Sequence, residues 1–371
     1  MISTIVEGRV KIKYPIDSRN KLDSKVPVFY NPVMRLNRDI SIIFLNSIER
    51  KTKKPLRCLD LLSASGIRAL RIKAETPNVE VTANDFNQKA VKTIKRNAKS
   101  NKLKIKIENK EAHVLLTELN SYDFIDIDPF GTPVPFLDAA IKRLSPHAYL
   151  AVTATDTSAL CGTYEYACRR KYQAKPLRNE FMHETAIRIL IKKVQEVASQ
   201  YDIALTPVFS HSSNHYVRVY FKKDVGAKKA DKIIREQGYI FYNWKTCERK
   251  IHFDLSSKPK NWDYAGVLWL GQLWDKNLVL KMKKFAFSNQ ELFSKKTLNL
   301  ISQIADESAL NAQTYYDTHQ LAKKHKIVIP KMNDLLSKIN KIQAKASRTH
   351  FSLTGFRTEI KYKKLIKVLC C

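Results

Sequence analysis

Short apolar blocks recur through the first two-thirds of the chain, each ending on a small or charged residue. Residues 55–62 form a strand-like apolar run that gives way to Ser63-Ala64-Ser65-Gly66-Ile67-Arg68, then to a helical pattern over 69–74. Residues 79–85 alternate and close on Asp85, and a third short strand over 105–109 runs into Glu111 and Ala112. The run from Tyr122 to Ile127 reads as a buried strand that stops on Asp128, Pro129 and Phe130. Further on the pattern predicts a strand over 148–155 and a long helix over 178–199. Two alternating strands over 203–210 and 215–222, separated by Ser212-Ser213-Asn214, read as a hairpin. Strands alternating with helices predict an α/β fold with a doubly wound sheet, closed by that antiparallel pair. The chain divides into a cofactor domain over 1–224, a ribbon-like segment over 225–278 and a smaller, mostly helical part over 279–371 that is basic and punctuated by aromatic residues.

The strand ends carry the candidate chemistry. A dinucleotide site wants three glycines so that the backbone can approach a pyrophosphate, and the loop after the first strand has one. S-adenosylmethionine has no phosphate and suits this looser loop, which draws Asp60, Ser63 and Gly66 into the cofactor set. Asp85 stands at the second strand end, where an acid binds ribose hydroxyls. The third strand end, at Glu111 and Ala112, is where the adenine belongs. At the fourth, Asp128 and the carbonyl of Pro129 can accept hydrogen bonds from an aromatic amine, which localises the nitrogen lone pair, and Phe130 offers a face for a stacked base. An ordinary Asp-Pro turn is the plainer reading of that segment alone.

Several segments together closely resemble the tRNA (guanine-26 N2) dimethyltransferases. They are Phe29-Tyr30-Asn31-Pro32 with Asn37-Arg38-Asp39, the Ser63–Arg68 loop, Asp126-Ile127-Asp128-Pro129-Phe130-Gly131, Ala154-Thr155-Asp156-Thr157 with Leu160-Cys161-Gly162, the run from Arg170 to Arg178, and the tail segments Ser347-Arg348-Thr349-His350-Phe351 and Gly355-Phe356-Arg357-Thr358. The resemblance spans nearly the whole chain. It implies a class I methyltransferase fold and transfer of one or two methyl groups from S-adenosylmethionine to the guanine N2 amine at tRNA position 26. Position by position it implies that Arg38, Arg68, Asp85, Glu111 and Ala112 touch the cofactor, that Asp128 polarises the amine, and that Phe29 and Phe130 flank the base. A guanidinium can grip the cofactor's carboxylate through two bonds, which suits both arginines. The family usually has Asp where Glu111 stands. Methylation of another nucleic-acid amine, or a silent RNA-binding scaffold, remain open as alternatives.

Composition adds a partner. The chain has 371 residues, and 66 basic against 35 acidic residues give a formal charge of +31, a field that attracts polyanions, although lysine-rich genome composition contributes to it. In the tail, Tyr315, Tyr316, His319, the 323–326 cluster and Arg348-Thr349-His350-Phe351 interleave cations with rings, a mixture suited to phosphates and unpaired bases of tRNA. No apolar run approaches the roughly 18 residues of a membrane span, and the first ten residues lack a signal-peptide core. Six cysteines without C-x-x-C spacing suggest reduced thiols in a cytoplasmic protein, and a monomer is expected. Many relatives carry two cysteine pairs over 242–269, whereas only Cys247 remains here beside His252. A ribbon without metal is therefore expected.

Overall fold

A computed structural model describes residues 2–15, 28–50, 53–118, 120–213, 215–328 and 330–370. It divides into two compact units that interleave along the chain, one built from residues 1–129, 135–152 and 280–301, the other from 130–134, 153–279 and 302–371.

The first unit opens with an antiparallel pair, β1 (Ile2–Glu7) and β2 (Val10–Pro15), followed by α1 (Arg35–Ser47). Strands and helices then alternate: β3 (Leu56–Asp60), α2 (Ile67–Glu75), β4 (Val79–Asn84), α3 (Gln88–Ser100), β5 (Lys106–Glu108), α4 (Ala112–Glu118), β6 (Tyr122–Ile127), α5 (Leu137–Lys142) and β7 (Leu144–Ala154). Leu59, Ile125, Ile127, Leu150 and Val152 are all fully buried, which is why these strands read as continuous apolar blocks rather than alternating ones. The pairing of β4 with β5, β3 with β4, β3 with β6 and β6 with β7 is parallel throughout.

The second unit contains α6 (Thr157–Leu160), α7 (Glu165–Tyr172), α8 (Met182–Ser199), the long antiparallel pair β8 (Ile203–Ser213) and β9 (Tyr216–Val225), α9 (Ala227–Arg235), and a three-stranded antiparallel sheet of β10 (Gln237–Tyr242), β11 (Arg249–His252) and β12 (Asp263–Trp269). Helices α10 (Lys276–Ser288) and α11 (Lys295–Glu307) fall largely in the first unit, and the second resumes with β13 (Tyr316–Asp317), α12 (Thr318–His325), α13 (Met332–Lys341), β14 (Ala346–Arg348), β15 (Gly355–Thr358) and α14 (Tyr362–Cys370). The large sheet has seven strands in the order β5-β4-β3-β6-β7-β9-β8. A parallel sheet closed by one antiparallel hairpin is the class I methyltransferase arrangement, as the sequence pattern leads one to expect.

The differences in detail have physical causes. Strand β7 begins at Leu144 rather than at 148, because Leu144 and Ser145 are buried before the exposed Pro146 and His147 interrupt the apolar pattern. The helix expected from 178 begins at Met182, after a turn in which Asn179 accepts the Phe181 N–H. One residue of the hairpin turn, Asn214, lies outside the described residues. Among the described residues no helix is long and apolar enough to cross a membrane. Cys58, Cys161, Cys168 and Cys247 are buried free thiols.

The tail corrects the reading of its rings as base-stacking groups. Tyr315 is fully buried and stacks on the buried Phe351 at 5.6 Å, while Tyr316 lies under the Arg249 guanidinium, 3.7 Å from ring centre to cation. The His350 ring bonds the Glu307 carboxylate, which accepts, at 2.6 Å, and His325 bonds the Tyr362 hydroxyl at 2.7 Å. Tyr315, Tyr316 and Phe351 are core, whereas His325 is half-buried and His319 exposed. Alternation of cations and aromatics in sequence does not distinguish a stacking surface from a core whose cations are paired: Arg357, for example, is fully buried against Glu184 and Glu307.

Candidate active site

Every element of the parallel sheet points its carboxyl end toward the same edge, and the four expected strand ends meet there. On β3 and β6, Asp60 and Asp126 are directly opposite each other in the parallel register. Two like charges so placed repel. Arg68, on the first turn of α2, lies between them: its guanidinium is 3.9 Å from Asp60 and 3.4 Å from Asp126, and its Nη2 donates to Asp128 Oδ2. Its Nη1 also donates to Asn37 Oδ1 at 2.7 Å and Ser41 Oγ at 2.8 Å, both on α1. The Asn37-Arg38-Asp39 segment thus reaches the cluster through Asn37.

Three carboxylates around one guanidinium leave a surplus of negative charge. Asp60 is 2% exposed, and its Oδ2 has no hydrogen-bond partner among the described residues. A buried acceptor without a donor is costly, and it is the complement of an ammonium group. Burial, with Asp126 and Asp128 adding and Arg68 opposing, pushes the Asp60 carboxyl up to about 7. A folded-state value above the ordinary one means the fold prefers the neutral acid. Stability from this group is complete below its ordinary value of 3.8 and is lost as pH rises through about 7. Asp60→Asn is therefore expected to raise the melting temperature at pH 8, with the gain shrinking below pH 7. Cofactor affinity of the wild type should rise over the same window, because the ionised acid is the better partner for a cation. Melting curves and calorimetric titrations at several pH values check this; a pH-independent difference would contradict it.

The loop above Asp60 follows from its small residues. Gly66 has φ of 77°, and a Cβ there would come within 2.9 Å of Ile94, so glycine is required both by conformation and by space. Ser63 donates from Oγ to the Asp60 carbonyl at 2.9 Å, and the Gly66 N–H donates to the Ser63 carbonyl at 2.7 Å. Asp85, past the end of β4, accepts the Ala64 N–H at 2.8 Å and the Asn87 N–H at 2.9 Å. Burial raises the Asp85 carboxyl and these two bonds oppose the rise. Each oxygen keeps a second lone pair, so the acid can still accept ribose hydroxyls.

Glu111, at the third strand end, also caps a helix. Its carboxylate caps α4, accepting the N–H groups of His113 and Val114 at 2.7 and 3.1 Å and pairing with the His113 ring at 2.8 Å. Ala112, the first residue of that helix, is buried. Arg38 is also engaged within the protein: Nε and Nη2 grip Glu7 at 2.7 and 2.6 Å, with the Tyr30 ring 5.2 Å away. Glu7 also pairs with Arg71, which reaches Asp39 and Glu75. Burial alone would raise the Glu7 carboxyl, but Arg38 and Arg71 hold it down to about 2. Neither Glu7 nor Arg71 carries a sequence signal; Asp126 does, since strand alternation places it on the same side of β6 as Asp128.

Asp128 follows β6 with its side chain 14% exposed, and Pro129 beside it is buried. Phe130 is the next residue and is 64% exposed. Phe29 is half-buried in the first unit. In the second unit, Thr155 ties down the turn after Phe130 by accepting the Gly131 N–H at 2.6 Å, and Thr132 and Asp156 both bond the Tyr172 hydroxyl, at 2.9 and 2.7 Å.

The model for the N2,N2-dimethylguanosine tRNA methyltransferases matches residues 8–370. The chain belongs to that family. The tRNA (guanine(26)-N(2)/guanine(27)-N(2))-dimethyltransferase of Aquifex aeolicus is 39% identical over 98% of this chain and 94% of its own length. The tRNA (guanine(26)-N(2))-dimethyltransferase of Pyrococcus horikoshii is 37% identical over 98% of this chain and 97% of its own. Among solved structures, Trm1 from Pyrococcus horikoshii with S-adenosyl-L-methionine superposes with a TM-score of 0.89 at 35% identity, covering both chains completely. The candidate site of this dimethyltransferase-family protein is built on acids at the strand ends. Among the described residues, no group of three or more His, Cys, Asp or Glu is arranged to hold a metal ion; Cys247 is buried, whereas His252 is exposed.

Proposed function

We propose that this protein transfers methyl groups from S-adenosylmethionine to the exocyclic N2 amine of guanine 26 in tRNA, twice in succession. The observation that carries the reading is Asp128 at the end of β6, held by Arg68 through one oxygen and followed directly by an exposed ring. Family membership and the SAM-bound relative support the cofactor, and the residues present fit it. Asp60 offers an unpartnered acceptor to the cofactor's ammonium, Asp85 offers lone pairs to the ribose, and the negative surplus favours a sulfonium. When bound, S-adenosylmethionine supplies an electrophilic methyl carbon.

The chain's own residues prepare the amine. Arg68 fixes Asp128 by Oδ2, leaving Oδ1 to accept an N–H of the guanine amine. That bond withdraws the nitrogen lone pair from the ring and directs it outward. The Pro129 carbonyl accepts the other N–H, and the Phe130 ring offers a face to the base. As the nitrogen gains a bond and becomes cationic, the Asp128 charge stabilises it and takes the released proton. A second round needs only rotation of the monomethylated amine to present its remaining N–H.

The Aquifex relative is named for positions 26 and 27 and the Pyrococcus relative for 26 alone, so position is the point to test. With transcripts carrying adenine at 26, at 27 or at both, methyl incorporation is expected to fall to background whenever position 26 is changed and to persist when only 27 is. Retained incorporation with adenine at 26 would mean that another guanine is the target.

A further inference from the structure

The sheet of β10, β11 and β12 has an unusual outer face. Strand alternation puts Tyr239 and Phe241 of β10 on one side, with Gly266 and Tyr264 of β12 and His252 and Lys250 of β11 opposite them in register. The rings form a continuous layer: Tyr239 to Phe241 is 6.4 Å between centroids, Phe241 to His252 is 6.1 Å, and Tyr239 to Tyr264 is 5.9 Å. A Cβ on Gly266 would come within 2.8 Å of the Tyr239 ring, so this glycine makes room for the layer. The opposite face is core, with Ile240 and Tyr242 buried and Tyr242 packed edge-on against Phe181 at 5.5 Å.

An antiparallel sheet with one face in the core usually presents polar residues on the other. Here the other side carries Tyr239, Tyr264 and Trp262, all half-buried, and the exposed His252, with Phe241 between them buried. Cations sit over them: Lys250 lies 5.1 Å from the Trp262 ring and Lys175 4.4 Å from Tyr264. The nearby acids are occupied, Asp263 by Lys175 and by the Trp244 Nε1 at 3.2 Å, and Glu165 by Arg169 at 2.8 Å. Rings with cations over them and satisfied acids match single-stranded nucleic acid, which stacks its bases and presents a phosphate per nucleotide. The same cations would repel a second copy of the chain.

We propose that this face is a docking platform for unpaired nucleotides of the tRNA, whose bases stack on Tyr239, Tyr264 and Trp262 while a phosphate meets Lys250. It rests on the reading that tRNA is the substrate, and it gives the ribbon segment a role that needs no metal.

The full-length variants Tyr239→Leu and Tyr264→Leu keep apolar bulk but remove the ring. Each is expected to weaken binding of an unmodified tRNA transcript about 5- to 100-fold by fluorescence anisotropy. Melting temperature and S-adenosylmethionine affinity should stay at wild-type values. Lys250→Ala should reduce the slope of log affinity against log salt by about 0.7 to 0.9. His252→Ala repeats the ring test at an exposed position, and should also weaken binding. Unchanged tRNA affinity in all four variants, with the wild type methylating tRNA normally, would overturn the platform alone. Loss of self-association without loss of tRNA affinity would make the face a protein interface and overturn it too. A wild type that neither binds nor methylates tRNA would remove the substrate reading first, and the platform with it.

Discussion

Asp128→Asn is expected to slow single-turnover methyl transfer by about 10²- to 10⁴-fold, the loss typical of a positioned acid or base. The amide is nearly isosteric, and its carbonyl can still accept one hydrogen bond. What it lacks is the charge that balances the developing ammonium, and the basicity to take the proton. Cofactor affinity should change little, because the Asp60 acceptor and the Asp85 lone pairs are untouched and Arg68 keeps Asp126 at 3.4 Å. Rapid-quench kinetics and calorimetry on the same variant separate the two. Near-normal chemistry would remove Asp128 from the mechanism, and lost cofactor binding would make it a structural residue.

How much of this was legible in the sequence depends on whether a residue acts along its own strand or across the fold. Strand ends were readable, since a parallel strand buried on both faces is an apolar block, and whatever polar residue stops it faces the functional edge. Asp60, Asp85 and Asp128 were all placed this way. The partners of Arg68 were not, because the pairing of β3 with β6 sets Asp60 against Asp126 and no local pattern encodes that register. Arg38 illustrates the same limit. Its bidentate geometry suits a carboxylate, as its residue type indicates, but the carboxylate it holds here is Glu7, 31 positions away. Tyr315 and Phe351 were misread for a related reason: their apolar burial comes from each other, across a gap in sequence that periodicity cannot see.

The second large effect is expected from Arg68→Met. Arg68 is 6% exposed and is the cation shared by Asp60, Asp126 and Asp128. Removing one partner of a buried ion network leaves uncompensated charge, at a cost of about 3–5 kcal/mol. Denaturant unfolding at pH 8 should report a loss of that size. The sign with pH follows from Asp60, which Arg68 holds down against burial: without the guanidinium it binds its proton more readily still when folded, so stability is lost as pH rises and the deficit should narrow at pH 6. The double variant Arg68→Met, Asp128→Asn should be more stable than the sum of the single losses, since one of the stranded charges is gone. A loss under about 1 kcal/mol without pH dependence would mean the acids are solvated or already neutral.

The most direct test of the central claim is mass spectrometry of nucleosides from an unmodified tRNA transcript incubated with the wild-type protein and S-adenosylmethionine carrying an isotope-labelled methyl group. The expected result is N2-methylguanosine at early times, converted to N2,N2-dimethylguanosine with two labels, and mapped to position 26. A label on adenine or on a guanine atom other than N2, or no transfer by a protein that binds the tRNA, would contradict it.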